Sequence, residues 1–147
     1  MRLRLLLPVV LALAAAGVLC VTPASSSAPR STLTAGSSDF GRILFDGRGF
    51  VLYAFTRDPR RKSACVGECA TAWPPYLVET RPRAGSGVKA RLLGTTKRAG
   101  GRLQVTYAGR PLYYYVGDRR AGQILCQDVT EFGGVWRVIR PTGILVR

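Results

Sequence analysis

The sequence has 147 residues, 47% of them apolar, and carries 22 Lys and Arg against 8 Asp and Glu. This length supports one ordinary domain and is too short for two domains with separate large cores. The chain has no histidine, and its single methionine is Met1. These absences exclude histidine-activated nucleophiles, HExxH zinc sites, and haem or copper sites ligated by His or Met.

The N-terminal stretch is typical of a secretory signal peptide. Arg2 and Arg4 precede an apolar run from Leu5 to Val21, and small residues follow up to Ala24. The run is short for a membrane span and has no charged stop-transfer flank, which disfavours a permanent transmembrane helix. We therefore predict a signal peptide over residues 1–24 and a secreted protein.

Cys20 lies near the predicted cleavage site and raises the question of lipid attachment. A lipoprotein signal has a small residue directly before the acylated cysteine, whereas Leu19 stands there in this chain. We therefore expect a released or wall-associated protein rather than a lipoprotein.

Residues 25–39 are predicted to form a flexible tether. They are rich in Ser, Thr, Ala and Pro and contain almost no large apolar residue. Such a segment cannot bury enough apolar surface to offset the entropy of ordering it. A single folded domain is therefore predicted over residues 40–147.

The predicted domain reads as a series of antiparallel hairpins. Its runs are enriched in Val, Tyr, Phe and Thr and are separated by glycine-rich turns. Three units follow one another: runs 43–45 and 50–56, runs 92–98, 103–107 and 110–116, and runs 135–139 and 144–146. The fold class predicted is mainly β (α+β).

One short helix is predicted over Val66–Trp73. Ser63 lies near its start, and the two prolines that follow Trp73 cannot continue it. A helix of about two turns is unstable alone, so we expect Val66, Ala70 and Trp73 to pack against the sheet.

A seven-residue pattern occurs twice, as LYAFTRD at residues 52–58 and as LYYYVGD at residues 112–118. The alignment pairs four identical or similar positions: Leu52 with Leu112, Tyr53 with Tyr113, Phe55 with Tyr115, and Asp58 with Asp118. This agreement predicts a duplicated hairpin arranged about a pseudo-twofold axis.

The sequence resembles a bacterial family of secreted repeats of unknown function, also described as predicted lipoproteins with a Yx(FWY)xxD motif. The resemblance covers essentially the whole domain, and it implies a secreted repeat protein without a settled activity. Its motifs are Gly41-Arg-Ile-Leu44, the two seven-residue patterns, Cys65-Val-Gly-Glu-Cys-Ala70, Trp73-Pro-Pro75, Gln104-Val-Thr-Tyr107, Gly109-Arg-Pro-Leu-Tyr113 and Phe132-Gly-Gly-Val-Trp136. Two features depart from the family pattern: Leu19 at the lipid-attachment position, and Cys126.

The repeated pattern admits three interpretations. Alternate side chains of a strand share a face, so Tyr53 projects with Phe55, and Tyr113 with Tyr115. In a structural role these rings form core pairs, and Asp58 and Asp118 accept backbone N–H bonds in Asx-type turns. In a binding role the rings and carboxylates line a groove for a sugar or a cation. In a hydrolase the two carboxylates act as a catalytic pair.

The cysteines allow two interpretations. An exported chain oxidises neighbouring thiols, so a Cys65–Cys69 disulfide is the default and Cys126 is left as an odd thiol. The alternative is a thiol-redox or metal-handling protein centred on Cys65 and Cys69, in which zinc would also need Cys126 and a carboxylate. We predict the disulfide, with no metal and no cofactor.

The positive charge limits the chemical classes of partner that the protein is expected to bind. Outside the cytoplasm it favours anionic cell-wall polymers or lipid head groups rather than nucleic acid. The sequence predicts a non-catalytic binding or structural module of the cell envelope and leaves its oligomeric state open.

Overall fold

The computed structural model describes residues 32–147. The predicted signal peptide, Cys20 and residues 25–31 lie outside the described residues. The described chain is mainly β, as predicted, with one short helix, α1 (Glu68–Ala72), and one 3₁₀ turn at Ala90–Leu92. The strands in chain order are β1 (Thr32–Ser38), β2 (Gly41–Asp46), β3 (Tyr53–Phe55), β4 (Leu77–Val78), β5 (Arg83–Ala84), β6 (Leu93–Lys97), β7 (Leu103–Tyr107), β8 (Arg110–Pro111), β9 (Val129–Glu131) and β10 (Gly134–Val138).

These strands form three small sheets. The first has the order β2-β1-β5, the second β3-β10-β9, and the third β4-β7-β6 with β8 also paired to β7. Pairing is antiparallel throughout except between β1 and β5, which run parallel. The antiparallel hairpins agree with the predicted fold class.

The predicted tether is wrong for residues 32–38, which form β1. This strand pairs with β2 along its whole length, from Leu33 opposite Asp46 to Ser38 opposite Gly41. Leu33 is fully buried in the core. The polar composition was misleading because one buried leucine and a complete backbone ladder to β2 suffice to order the strand. The folded part therefore begins before residue 40.

The hairpins are present, although most are shorter than predicted. The turn after β2 is closed by a bond from Gly49 N–H to Asp46 O of 3.0 Å. Strands β6, β7 and β8 form the expected meander, but the third strand covers only Arg110–Pro111. After β10, Arg140 N–H donates to Ile144 O at 2.9 Å and closes the C-terminal hairpin.

The helix is shorter than predicted, and its start differs. Gly67 occupies the N-cap position, and no side chain caps the helix there. Ser63 instead forms hydrogen bonds with Tyr113 and Arg98. Trp73 is fully buried and Ala70 packs on the core, but Val66 is 65% exposed, so its predicted packing is wrong.

The two copies of the duplicated unit are interlocked. The hairpin β1–β2 corresponds to β6–β7, and each is extended by a segment from the other copy. Leu44 N–H donates to Ile139 O at 3.0 Å, and Val105 N–H donates to Tyr76 O at 2.9 Å. The end of each copy thus completes the sheet of the other, which explains why neither copy has a full core of its own.

The buried residues form two clusters on opposite sides of the shared strands. One holds most of the aromatic rings together with all three cysteines of the described chain. The other is largely aliphatic and includes Leu33, Leu44, Leu52, Leu112 and Ile139. Because successive side chains of a strand point to opposite faces, the repeated Leu-Tyr pair supplies one residue to each cluster.

Candidate functional site

The two repeated patterns meet at the centre of the molecule. Tyr53 N–H donates to Tyr113 O at 2.9 Å, and Tyr113 N–H donates to Tyr53 O at 2.9 Å. The two residues form an isolated antiparallel bridge between the first residue of β3 and Tyr113. A reciprocal pair of equal bonds between equivalent residues places the pseudo-twofold axis between them.

The tyrosine of each copy donates its hydroxyl to the aspartate of the other copy. Tyr53 Oη lies 2.7 Å from Asp118 Oδ2, and Tyr113 Oη lies 2.7 Å from Asp58 Oδ2. Hydrogen bonds from a hydroxyl to a carboxylate are short and stronger than neutral ones. The Tyr-x-x-x-x-Asp spacing therefore serves contacts between the copies, whereas the structural interpretation of the sequence assigned each aspartate to a turn of its own copy.

Each aspartate also anchors the loop that follows it. The second carboxylate oxygen of Asp58 accepts the Ala64 N–H at 2.7 Å, and that of Asp118 accepts the Leu125 N–H at 3.0 Å. The predicted backbone N–H acceptance is confirmed, but the loops are longer than Asx turns because the donors lie six and seven residues downstream. Both carboxylates are thus bonded on both oxygens.

The two aspartate environments differ in polarity. Near Asp58, Ser63 Oγ lies within hydrogen-bond distance of Tyr113 Oη, at 2.8 Å. The guanidinium of Arg98 donates to Ser63 Oγ at 2.7 Å and to the buried Gln104 Oε1 at 2.8 Å. No side chain of the described residues supplies a comparable cation to Asp118, which accepts hydrogen bonds from the Tyr53 hydroxyl and the Leu125 amide.

Burial controls the protonation of these groups. Loss of water raises the pKa of both Asp58 and Asp118 above the ordinary carboxyl value, and the bonds from tyrosine and backbone oppose this rise without cancelling it. For Asp58 the positive charge of Arg98 also opposes the rise. Burial, together with the neighbouring carboxylates, raises the pKa of Tyr53 and Tyr113, which keeps both hydroxyls protonated as donors.

Two tryptophans that the sequence analysis did not pair stack across the pseudo-twofold axis. The rings of Trp73 and Trp136 are 3.9 Å apart and almost parallel, at 3°. Tyr53 contacts Trp73 edge-on at 5.2 Å, and Tyr113 contacts Trp136 edge-on at 5.1 Å. Each tryptophan lies three residues before a residue whose carbonyl accepts a bond from the other copy, Tyr76 after Trp73 and Ile139 after Trp136. This equal spacing is the sequence signal that identifies the two tryptophans as equivalent.

The repeated aromatic residues belong to the core, which corrects their interpretation as ligand platforms. Tyr53 and Tyr113 are 0% exposed and Phe55 is 3% exposed. Phe55 stacks on Trp136 at 4.2 Å, and Tyr115, which is partly buried, packs on Trp73 at 4.8 Å. Since rings buried in this way present no open face, stacking on a sugar or cation has no surface to use.

Asp46 is a further buried carboxylate that sequence reasoning treated only as part of a turn. Its Oδ1 accepts the backbone N–H groups of Arg48 and Phe50, each at 2.9 Å. Its Oδ2 accepts from the Arg48 guanidinium at 2.9 Å and from the hydroxyl of Tyr114 at 3.0 Å. The Asp-Gly-Arg-Gly sequence offered a signal, since Asp at the start of a turn accepts amides two and four residues on.

The predicted disulfide is confirmed. Cys65 and Cys69 are joined, with their Cα atoms 5.2 Å apart. Cys65 lies before α1, as the geometry of a bridge across four residues requires, and Cys69 lies within it. The bridge fastens the start of the helix that carries the chain to Trp73.

Cys126 is a free thiol whose place in the second copy corresponds to that of Cys65 in the first. It is 7% exposed, and burial raises its pKa. Thiolates are the reactive form, so this environment does not activate the residue. Within residues 32–147, no group of three His, Cys, Asp or Glu side chains is placed to hold a metal ion.

The comparisons with known proteins agree with this duplicated architecture. A family model described as a secreted repeat of unknown function matches the chain twice, over residues 34–76 and 94–140. The chain belongs to this secreted repeat family. The first match begins within β1 and the second within β6, so each repeat contains one hairpin and one crossing segment. No curated protein and no solved structure matches the chain.

Membership of the secreted repeat family supports an extracellular location. The described part of the chain contains no helix that is both long and apolar enough to span a membrane. The family description names no activity.

The crossed bonds predict a specific pattern of energetic coupling. In a double-mutant cycle, Tyr53→Phe and Asp118→Asn should couple by about 1.5–3 kcal/mol, because together they remove one buried hydrogen bond to a charged group. Tyr113→Phe with Asp58→Asn should behave in the same way. Urea unfolding of the four single and two double variants measures both cycles.

The matched control combines residues of the same copy, Tyr53→Phe with Asp58→Asn. These two side chains share no hydrogen bond, so their effects should add to within about 0.5 kcal/mol. Stronger coupling within a copy than between copies would contradict the crossed arrangement.

The raised carboxyl pKa values predict the sign of a pH dependence. When the folded pKa exceeds the unfolded one, the folded state binds more protons between the two values, and stability falls as pH rises through that window. The difference in unfolding free energy between wild type and Asp118→Asn should therefore decrease from below about pH 4 up to the raised pKa and then level off. Denaturant unfolding at a series of pH values measures it, with the exposed Asp39→Asn as control. A difference that grows with pH would show that the folded state prefers the ionised carboxylate.

Proposed function

We propose that the protein is a non-catalytic secreted module that binds anionic polymers of the cell envelope through two arginine-bearing loops. The observation that carries the proposal is the separation of charge between interior and surface. Residues 32–147 contain 19 Lys and Arg and 8 Asp and Glu, a net charge of +11.

Most of the negative charge is engaged in internal contacts. Five of the eight acidic residues have side-chain bonds to other parts of the chain: Asp46, Asp58, Asp118, Asp128 and Glu131. In contrast, fifteen of the nineteen basic residues are exposed. The described residues form two ion pairs, Arg48–Asp46 and Arg137–Asp128. The remaining surface charge is therefore largely positive and available to an anionic partner.

The two loops are the segments that follow the aspartates of the repeated pattern. Residues 59–63 carry Arg60, Arg61 and Lys62, and residues 119–124 carry Arg119 and Arg120; all five are exposed. Each loop is bounded by its aspartate and by the amide that the aspartate binds, Ala64 or Leu125. The buried Tyr–Asp bonds thus hold two basic loops in fixed positions.

The first loop is also fastened to the second repeat. Arg61 N–H donates to Gly109 O at 2.7 Å. The aliphatic part of Arg60 lies against Gly109, where a Cβ atom would fall 2.9 Å from Arg60 Cγ, and Gly109 has a φ of 77°. Glycine is favoured at this position both for its positive φ and for the close approach of the arginine. A preordered cation loses less entropy on binding than a mobile one.

Binding of a phosphate-backbone wall polymer at low and high salt tests this function. Replacing the loop charges by Arg60→Gln with Arg61→Gln, or by Arg119→Gln with Arg120→Gln, should weaken binding by about tenfold or more, at roughly 1 kcal/mol per charge near an anionic surface. The measurement is a binding titration, with a neutral polysaccharide and anionic vesicles as comparison ligands.

The matched control removes the same charge elsewhere, by Arg102→Gln with Arg147→Gln, two exposed residues outside the loops. It should weaken binding less than either loop variant and preserve binding in high salt. Equal losses for all three variants, or binding that disappears at high salt for every polymer, would indicate diffuse charge attraction without a defined site.

A further inference from the structure

The outer edge of β6 has backbone groups that face away from its neighbour. Ala108 N–H donates to Leu92 O at 2.8 Å, and Arg98 N–H donates to Arg102 O at 2.9 Å. These bonds bracket the β6–β7 pair, and hydrogen-bonded residues alternate along an antiparallel ladder. Even-numbered residues of β6 therefore bond to β7. The residues that alternate with them and face outward are Leu93, Thr95 and Lys97. Leu93 is buried and already donates its N–H to Ala90 O, so the N–H groups open to an added strand are those of Thr95 and Lys97.

The corresponding edge in the first repeat is occupied. Ala35 N–H donates to Ser86 O at 2.9 Å, and Gly85 N–H donates to Leu33 O at 2.7 Å. The segment containing β5 thereby adds a parallel strand to β1. Among residues 32–147, no strand pairs with the outer edge of β6. The fold thus shows, in its first half, that this type of edge accepts an added strand.

The surroundings of the β6 edge are basic. Residues 87–102, which contain β6 and the chain on either side of it, hold five Lys and Arg and no acidic residue. Lys89, Arg91 and Lys97 are exposed next to or within the strand. The hydroxyl of Thr96 donates to Arg61 O, which brings the first basic loop to the same strand.

We propose that the outer edge of β6 binds an extended acidic segment of another protein as an added β-strand. Backbone bonds to the outward groups supply the pairing, and the flanking cations select an acidic sequence. A second copy of this chain is disfavoured because it would bring Arg91 and Lys97 against like charges. Residues 1–31 are disfavoured for the same reason, since their charged side chains are all Arg. This inference goes beyond polymer binding and does not depend on it.

Amide hydrogen exchange of the whole protein with a blocked peptide that alternates Glu with Val tests the proposal. With about nine-tenths of the protein bound, exchange of the outward-facing amides of β6, including Thr95 N–H, should slow by about tenfold. The amides of Gly94 and Thr96 already face β7 and should change little. A peptide of the same pattern with Lys in place of Glu should not bind.

Two further variants separate strand addition from charge attraction. Thr95→Pro removes an outward N–H at a position where an edge strand tolerates proline, and should weaken peptide binding by about tenfold or more. Thr95→Ala keeps that N–H and should bind normally. An acidic peptide N-methylated at alternate residues on its pairing edge makes the same test with wild-type protein. Polymer binding should be unaffected by Thr95→Pro, since no charge changes.

Several outcomes would overturn the proposal. These are equal binding of the acidic and basic peptides, equal binding of the Pro and Ala variants and of the methylated peptide, or no slowing at the outward amides. A dimer that Thr95→Pro dissociates would assign the edge to a second copy and would also overturn it.

Discussion

The exchange of hydrogen bonds between Tyr53 and Asp118 and between Tyr113 and Asp58 is the constraint on which the structure depends. Both bonds measure 2.7 Å and both join one repeat to the other. Burial raises the pKa of both carboxyl groups, and the bond from tyrosine opposes this rise. Removing a tyrosine hydroxyl would therefore leave a buried carboxylate without one of its donors. Stacked tryptophans and crossing strands occupy the same axis, and the two halves therefore form one core.

The same exchange connects the core to the surface. Each aspartate binds a tyrosine with one oxygen and the end of a basic loop with the other. The aromatic residues of the repeated pattern are buried, and its aspartates thereby position the exposed arginines of the loops that follow. The repeats are not equivalent in every respect. Arg98 and Gln104 extend the network at Asp58, and Trp73 Nε1 donates to Glu131 at 2.8 Å, whereas the buried Trp136 Nε1 has no partner among residues 32–147.

Sequence reasoning predicted the mainly β class, the duplication and the Cys65–Cys69 disulfide because these depend on local spacing. It assigned the repeated residues to the correct pairs but could not show that Tyr53 bonds the aspartate of the other copy, since that contact spans 65 residues. It did not predict β1. This strand is ordered by backbone pairing with a partner strand and by the buried Leu33, rather than by its composition. Val66 was misplaced because a two-turn segment has no periodicity long enough to define a face.

The central claim is that neither repeat forms a core without the other. The most direct measurement is to introduce a protease site between Val88 and Lys89, cleave the folded protein, and record the unfolding of the separated and recombined halves. Neither half should unfold cooperatively alone, and mixing should restore a single cooperative transition. A cooperative transition in either isolated half would contradict it.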